Sequence, residues 1–469
     1  ALSSGILGTS LEQFSMSICG RVVDELKPKP PQPFFRKLGN TVRLTSHALS
    51  AGPAIRRLQD QIAGFRVPTS ADPRVVLHQL DRGVELYCDV TLTHVRSSSR
   101  AAVAANILES YLVKQAVRSG RSEEDGQAEA TRLMAGAAGV ESAVMLTELD
   151  AVVRTVAVDD PAAQEFLTAA PDDAVTKLRA ASSPGGEALR RFLTRHGHRG
   201  YRELCMRDPS WDQDAGGLGS MMQVMLRAAL DPVDRGSGHP QLDAPRSATV
   251  RFLARLAQGG ARGREETKSK MALMAHALKR GYRHLGEILS RSGQLPDADL
   301  VFFFDRAELA RVVAAQHTDE LVVRALARRD ALAFQDALEF PDVSVGRPTP
   351  LASRPAASFT DDQIVGRPAS RGTVEGTVRV AKSITQARDV QRGEILVAPV
   401  TDVGWTPYFT VIAALVTDIG SSVSHGAVVA REYGLPCVVN TLVGTQALKT
   451  GDRVRVDGDR GVVTRLEQT

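Results

Sequence analysis

Hydrophobic positions in the first two thirds of the chain repeat with the spacing of amphipathic α-helices. From about Asn40 to Phe340, long segments of this kind are separated by clusters of Gly, Pro and Asp. The clearest segment has apolar residues at alternating spacings of four and three, which places them on one helix face. Its members are Met271, Ala275, Leu278, Tyr282, Leu285 and Leu289. We therefore expect a long helix there that packs against other helices.

A second helix is predicted over residues 101–117, and Gly120 is expected to end it. The face predicted to be buried in this helix consists of Val103, Ile107, Tyr111 and Lys114. Leu300–Phe304 is a short apolar run, for which a buried strand and a core connection both stay open. Together these patterns predict a mainly helical domain over residues 1–340, either undivided or built from two subdomains.

The character of the sequence changes after residue 340. Proline recurs in residues 341–365, which are therefore predicted to form an extended linker. Short β-type runs predominate over residues 366–469, and Arg453–Val456 and Gly461–Leu466 are expected to pair as a hairpin. A helix is predicted to start at Ser424 or His425 and to end before Gly434. The predicted fold class is a multidomain α and α/β protein, in which a small β/α domain follows the helical one.

Composition excludes several classes of protein. The chain has 469 residues with 58 Lys and Arg against 54 Asp and Glu, so its small net charge of +4 gives no indication of a nucleic-acid partner. No apolar run approaches the roughly 18 residues that a membrane-spanning helix needs, and no membrane partner is predicted. The 4 cysteines show no Cys-x-x-Cys spacing. We therefore predict no metal site, no disulfide framework and a reducing, cytoplasmic location.

The most informative residue is a histidine at the first turn of the helix predicted in the β-rich part. His425 follows a strand of buried type and a loop of Gly and Ser. A neutral imidazole is a nucleophile near pH 7, and a helix N-terminus lowers its pKa further. A phosphoryl group on this ring would lie near free backbone N–H groups. The alternative interpretation is that Ser424 caps the helix and His425 is an ordinary surface residue.

The segment Thr417–Pro436 resembles the phosphohistidine signature of the phosphoenolpyruvate-utilising enzymes, which include phosphoenolpyruvate synthase, pyruvate phosphate dikinase and rifampicin phosphotransferase. Ser-His, Ala-Arg-Glu-Tyr-Gly and the final proline stand in register. The resemblance implies that an ATP-binding domain phosphorylates His425, which passes the phosphoryl group on, and that residues 366–469 form a swivelling domain. It also implies that the residues of the loop support the phosphoryl group. These are Thr417, Gly420, Ser421 and Ser424.

A second element resembles the helical substrate-binding domain of the rifampicin phosphotransferase branch. The sequence Arg264-Glu265-Glu266-Thr267-Lys268 matches an Arg-Glu-x-x-Lys motif whose cations contribute to phosphoryl transfer. Arg264 and Lys268 lie four apart on one helix face, where like charges cost a few tenths of a kcal/mol unless an anion lies between them. The alternative is a solvated, charged helix start.

A third resemblance, in the same helical domain, covers the segment from His196 to Glu203. It implies an acceptor pocket lined by His196, His198, Arg199 and Glu203, although helix capping and packing are equally good interpretations. The base for the acceptor is sought among His196, His198 and His276. Two histidines two residues apart do not share a helix face, so they give only a weak metal site.

The order of the two domains resembles rifampicin phosphotransferase, in which an ATP-grasp domain comes first. The resemblance implies an ATP-dependent, dikinase-type phosphotransferase that carries a phosphoryl group to a hydroxyl-bearing small molecule. ATP and Mg²⁺ would be used by an ATP-grasp domain that this chain is expected to lack, located upstream or on another chain. No cofactor is expected to bind this chain directly. Two alternatives stay open: a non-catalytic relative that acts as a binding module, and a phosphocarrier that depends on phosphoenolpyruvate.

Overall fold

The computed structural model describes residues 51–134, 141–230, 247–336, 338, 340, 349–350, 363–420 and 424–466. The chain divides into two compact units. One comprises Ala1–Gly64, Pro68–Arg82 and Gly281–Ala356, and the other comprises Phe65–Val67, Gly83–Arg280 and Ala357–Thr469. The second unit contains every residue of the site described below.

Helices account for most of the described residues before the sheet. They are α1 (Ala51–Gly64), α2 (Pro73–Arg118), α3 (Glu123–Met134), α4 (Glu141–Ala157), α5 (Asp160–Thr168), α6 (Pro171–Ala180), α7 (Pro184–His196), α8 (Ala215–Leu230), α9 (Ala248–Arg291), α10 (Arg306–Val313) and α11 (Thr318–Asp336). The run Leu300–Phe304 is a core connection and not a strand, because Ala298–Phe303 forms a 3₁₀-helix in which Leu300 and Val301 are buried. Asp297 caps it by accepting a hydrogen bond of 3.2 Å from the backbone N–H of Leu300.

One of the two predicted helix faces is confirmed and the other is wrong. In α9, Met271, Leu278 and Leu289 are buried as expected. In α2, however, Ile107 and Tyr111 are 45% and 38% exposed. Val103 is only partly buried and Lys114 is exposed as well.

The buried face of α2 lies one position further along the helix. It consists of Ala104, Ala105, Leu108, Leu112 and Ala116. The first four of these pack in one cluster with residues of α3 and α9, among them Leu133 and Ala254. Small residues let helix backbones approach closely, and a Cβ atom at Gly260 of α9 would lie 2.8 Å from Cα of the buried Ala101 on this face.

The first unit carries a buried acidic residue that is paired with arginines. Glu308 forms a capping box with Asp305 at the start of α10. Its Oε2 accepts a hydrogen bond of 2.5 Å from Arg328, and its Oε1 accepts one of 3.4 Å from Arg324. Hydrogen bonding to Arg328 lowers the pKa of Glu308 to about 2, against the opposing effect of burial.

The β-rich part forms one sheet of mixed direction. Its elements are β1 (Gln363–Val365), β2 (Arg367–Ser370), β3 (Thr373–Val380), α12 (Ile384–Ala387), β4 (Ile395–Ala398), a 3₁₀-helix (Val403–Thr410), β5 (Ala414–Thr417), α13 (His425–Glu432), β6 (Cys437–Val439), α14 (Gly444–Ala447), β7 (Arg453–Asp457) and β8 (Val462–Arg465). The strand order is β1-β8-β7-β3-β4-β5-β6-β2. Strands β3, β4, β5 and β6 are parallel, whereas β7 and β8 form the predicted antiparallel hairpin.

The sheet shares a hydrophobic core with helices of the second unit. Apolar residues of α4 and α8, such as Leu149 and Met222, belong to the same cluster as Trp405, Tyr408 and Phe409 of the second 3₁₀-helix. Because of this common core, the two compact units do not divide at residues 340 and 366, where the sequence predicts the domain boundaries. Residues 363–365, assigned above to the linker, form β1 and pair with β8. Residues 341–348 and 351–362 of that linker lie outside the described residues.

Candidate active site

His425 is the first residue of α13, which follows β5 and the loop after it. Ser424 occupies the N-cap position in an extended conformation, with no capping hydrogen bond from its side chain. The interpretation of His425 as a surface residue is wrong, because its side chain is only 4% exposed. Residues of the helical part cover it, as the following contacts show.

Both ring nitrogens of His425 face a polar partner. Nε2 lies 2.7 Å from the hydroxyl of Thr406, in the second 3₁₀-helix. Nδ1 lies 3.5 Å from Oε2 of Glu265, which belongs to α9. Since a carboxylate only accepts hydrogen bonds, the tautomer that suits both contacts carries its hydrogen on Nδ1 and receives the Thr406 hydroxyl at Nε2.

The charge states of this pair follow from burial and from two cations. Burial and then the charge of Lys268 lower the pKa of His425, so the ring is neutral near pH 7. Burial alone would raise the pKa of Glu265, which is only 1% exposed. Its contact with His425 and the charges of Lys268 and Arg264 outweigh burial and bring that pKa well below the ordinary range. A neutral imidazole therefore stands beside an ionised carboxylate.

The two cations of the Arg-Glu-x-x-Lys motif each face a carboxylate. Arg264 contacts Glu265 directly, and Nζ of Lys268 lies 3.7 Å from Oε1 of Glu203. Like charges at this spacing need an anion to relieve their repulsion, and the two carboxylates supply it. The side chains of Arg264 and Lys268 are 19% and 15% exposed, so both stay accessible from solvent.

Arg199 extends this network into the interior. Its Nε donates a hydrogen bond of 2.6 Å to Oε2 of Glu203, and its Nη2 donates one of 3.4 Å to Oε1. Arg199 is 1% exposed, and its Nη1 has no hydrogen-bond partner in the part of the chain that the structure describes. A buried guanidinium with an open donor is suited to hold an anion.

The three histidines considered for the pocket or the base make contacts of their own. His196 is fully buried, with Nε2 at 3.0 Å from Oε2 of Glu148. His198 lies 3.5 Å from the hydroxyl of Ser269, and burial followed by Arg199 lowers its pKa to about 3. His276 shares a 3.0 Å hydrogen bond with Ser210. Arg199 and Glu203 thus join the network around His425, whereas His196 is engaged by α4.

The loop residues predicted to support a phosphoryl group lie close to one another. A Cβ atom at Gly420 would lie 3.2 Å from the Thr417 hydroxyl and 3.3 Å from that of Ser424, so the loop folds tightly at this glycine. The buried Thr417 hydroxyl has no hydrogen-bond partner among the described residues. Ser421 lies outside them. The neighbouring Asp418, not singled out from the sequence, accepts hydrogen bonds from the backbone and hydroxyl of Thr445.

A contact beside the site joins the sheet to the helical part. Asp402 accepts a hydrogen bond of 3.0 Å from the backbone N–H of Arg202 and one of 2.9 Å from that of Gly404. The φ angle of Arg202 is 49°, which is uncommon for a residue with a Cβ atom. Gly404 permits the approach, because a Cβ atom there would lie 2.8 Å from Cα of Tyr201.

Sequence reasoning missed the roles of Glu265, Thr406 and Asp402 in this arrangement. Glu265 stands inside the recognised Arg-Glu-x-x-Lys motif, and Thr406 stands in the Gly-Trp-Thr-Pro sequence that precedes β5. No local spacing revealed their roles, because the partners lie 19 positions from Thr406, 160 from Glu265 and 200 from Asp402.

Two other kinds of feature are absent from the described residues. Within the described ranges, no group of three or more His, Cys, Asp or Glu side chains is arranged to hold a metal ion. None of the helices that the structure describes combines the length and apolar character needed to cross a membrane.

Two protein-family models match the chain, and they identify the class of both parts. The mobile domain of the phosphoenolpyruvate-utilising enzymes matches residues 390–461. The fourth domain of rifampicin phosphotransferase matches residues 94–284. The chain therefore contains both of these domains, and the candidate site joins Glu265 of one to His425 of the other.

Individual relatives agree with this assignment. A rifampicin phosphotransferase of Streptomyces sviceus is 32% identical over 340 residues, which are 65% of this chain and 38% of the relative. An uncharacterised protein of Mycobacterium tuberculosis is 35% identical, over 71% of this chain and 38% of its own. The prodigiosin synthesizing transferase PigC of Serratia marcescens is 30% identical, over 64% and 35%. The chain thus spans less than two fifths of the length of these relatives.

Proposed function

We propose that this chain is the acceptor and carrier part of an ATP-dependent phosphotransferase of the dikinase type. His425 carries the phosphoryl group between an ATP-grasp module and a hydroxyl-bearing small molecule bound near α9. The observation that supports this most directly is the enclosure of His425 between Thr406 and Glu265, beside the cations of the Arg-Glu-x-x-Lys motif. In this proposal, the docked arrangement is the one in which His425 delivers its phosphoryl group.

Glu265 would set the reactive atom. Because its carboxylate faces Nδ1–H in the docked position, a ring that carries its phosphoryl group on Nε2 is the one that fits there. In the docked position Glu265 of the helical part contacts the His425 side chain, which is only 4% exposed. The Thr406 hydroxyl at Nε2 belongs to the mobile domain itself and would have to turn aside for the phosphoryl group. Loading therefore requires the mobile domain to leave the helical part and to return with a phosphohistidine.

Transfer onward would use the cations as an electrostatic clamp. The acceptor oxygen attacks phosphorus, the P–N bond breaks, and the electron pair of that bond returns to Nε2. Lys268, Arg264 and the open Nη1 of Arg199 would neutralise charge on the three phosphoryl oxygens. Glu265 keeps its hydrogen-bonded Nδ1–H in place, so the imidazole leaves as a neutral group.

The proton of the acceptor hydroxyl needs a neutral base, and we assign this role to His94. Its Nδ1 lies 3.1 Å from the hydroxyl of Thr267, in the turn of α9 that carries the cations. Burial, followed by Arg264 and Lys268, lowers the pKa of His94 to about 4, which keeps the ring unprotonated at pH 7. Binding of an anionic phosphoryl group would offset the cations and raise its basicity.

Labelling of His425 tests the proposal. The chain is mixed with the ATP-grasp module of a rifampicin phosphotransferase and with ATP labelled at the β-phosphate. We expect acid-labile label on the wild type and none on His425→Gln, while His78→Gln, which changes an exposed histidine of α2, labels normally. Label from phosphoenolpyruvate alone would support the phosphocarrier alternative, and no label from either donor would support a binding module.

Two variants then separate loading from delivery. His94→Gln and Lys268→Ala should accept label at His425 at the normal rate and slow its release to a bound acceptor at least tenfold. General bases typically contribute about 10²–10⁴-fold, which sets the upper limit of the effect expected for His94→Gln. If loading and release slow by the same factor, these residues support the fold and not the transfer step.

A further inference from the structure

A charged cavity lies in the same unit, lined by residues other than those of the His425 site. It has a volume of about 630 Å³ and is lined by Arg227, Arg379, Arg388 and Arg392, with one acidic residue, Asp389. Arg227 stands in the last turn of α8, whereas the other three arginines come from the mobile domain. We call this cavity the arginine cleft.

Two of the four arginines are fixed in position by hydrogen bonds. Arg379 donates from Nε and Nη2 to Glu394, at 3.0 and 2.8 Å. Arg392 donates from Nη1 to the backbone carbonyl of Ala228 at 2.6 Å, which links the mobile domain to the end of α8. These bonds orient the guanidinium groups before any ligand arrives, so little side-chain entropy would be lost on binding.

The remaining two arginines keep their guanidinium N–H donors available for a ligand. Neither Arg227 nor Arg388 makes a side-chain hydrogen bond or ion pair within the described part of the chain. With Asp389 in the lining and Glu394 behind Arg379, four positive charges face two negative ones. The cleft thus carries an excess of positive charge that a bound anion would neutralise.

The size and donor geometry of the cleft indicate the class of ligand. Small-molecule sites usually have volumes of about 300–1,000 Å³, and this cavity falls within that range. Guanidinium groups bind phosphate oxygens through paired hydrogen bonds, and several around one cavity favour an anion with more than one charge.

We propose that the arginine cleft binds a phosphate-bearing small molecule with at least two negative charges, and that this ligand holds the mobile domain in its docked position. The second part follows from the lining, because α8 and the mobile domain each contribute arginine. A ligand that needs both sides binds the docked arrangement more tightly and shifts the population toward it. This second part rests on the swivelling motion proposed above, whereas binding itself does not.

Binding is tested on the full chain with inorganic pyrophosphate as the probe, by calorimetry at constant ionic strength. Arg227→Ala and Arg388→Ala should each weaken the affinity at least tenfold, and Arg388→Glu should abolish binding. Arg460→Ala, which changes an exposed arginine in the turn before β8, should leave it unchanged. Sulfate should bind at least tenfold more weakly than pyrophosphate, and comparison with inorganic phosphate and AMP identifies the preferred source of the charge. The site would be overturned if the arginine-cleft variants and Arg460→Ala all bound pyrophosphate as tightly as the wild type. It would also be overturned if the wild type bound all of these anions with equal affinity.

Docking is tested separately by hydrogen exchange at the backbone amide of Arg202, which donates to Asp402 across the docked contact. Pyrophosphate should slow this exchange in the wild type and in His425→Gln, but not in Arg388→Ala. Because His425→Gln cannot carry a phosphoryl group, a positive result in it does not depend on phosphotransfer. If pyrophosphate binds but does not slow exchange of the Arg202 amide, the anion site stands and its proposed effect on docking is refuted.

Discussion

Adding one methyl group at Gly404 should release the mobile domain without altering a reacting group. A Cβ atom at this position would lie 2.8 Å from Cα and 2.9 Å from Cβ of Tyr201. Carbon atoms pack best about 3.5–4.0 Å apart, so the docked backbones would have to separate by roughly 1 Å. Backbone atoms cannot turn aside as a flexible side chain can.

The magnitude follows from the cost of overpacking. Extra methyl groups in well-packed regions typically cost about 1–3 kcal/mol. If this cost falls on the docked state alone, the docking equilibrium changes by about 5-fold to 150-fold. Gly404→Ala should therefore speed hydrogen exchange of the Arg202 amide by such a factor. Transfer from phospho-His425 to an acceptor should slow in proportion, whereas loading from ATP should keep its rate or increase.

The control is a second glycine, whose missing side chain would point into open space. A Cβ atom at Gly259, inside α9, would meet only the end of the Arg262 side chain at 4.0 Å. Gly259→Ala should stabilise its helix by about 0.5–1 kcal/mol and leave Arg202 exchange unchanged. If Gly404→Ala leaves both Arg202 exchange and acceptor transfer at wild-type values, the docked contact drawn here is refuted.

Three further predictions concern charge and packing. Glu265→Gln should lower the pKa of His425 further, because the ring loses an ionised acceptor at Nδ1. NMR titration of the imidazole measures this pKa, and a rise in the variant would contradict the prediction. Glu308, whose pKa is lowered to about 2, should stabilise the fold above its ordinary pKa near 4.5 and lose that contribution as the pH falls from there toward 2. Urea unfolding at pH 5 and pH 3 should therefore show a weaker acid dependence in Glu308→Gln, and an unchanged dependence would contradict the assignment. Leu108→Ala should cost about 2–5 kcal/mol in urea unfolding and Ile107→Ala no more than about 0.5, and equal costs would restore the face that the sequence predicts for α2.

Local sequence patterns predicted the helices and strands of this protein well, but they did not predict which distant residues contact one another. The helix from His425 to Glu432 and the hairpin of β7 and β8 follow from caps, turns and alternation within a few residues. The buried face of α2 could not be predicted in the same way. Which face is buried depends on where α3 and α9 pack against it, and Ala104 and Ala105 belong to the cluster that α2 forms with these two helices.

The site shows the same division between local and distant information. The motifs identified His425, Arg264 and Lys268, but no spacing reveals that Glu265 lies 3.5 Å from a ring 160 positions later. Burial of His425 was missed for that reason. An isolated helix start is exposed, whereas here Glu265 of the helical part and Thr406 both contact the ring.

The docked contact itself limits how the mobile domain can move. Trp405, Tyr408 and Phe409 are 2–4% exposed and share a core with α4 and α8. Burying a large apolar side chain contributes about 1.5–3 kcal/mol, so full exposure of three would cost at most about 5–9 kcal/mol. Conformations that exchange during function usually differ by only a few kcal/mol. The proposed swivelling motion therefore requires that the loading position also covers much of this aromatic surface, and we expect an ATP-grasp partner to present an apolar face to the segment Val403–Thr410.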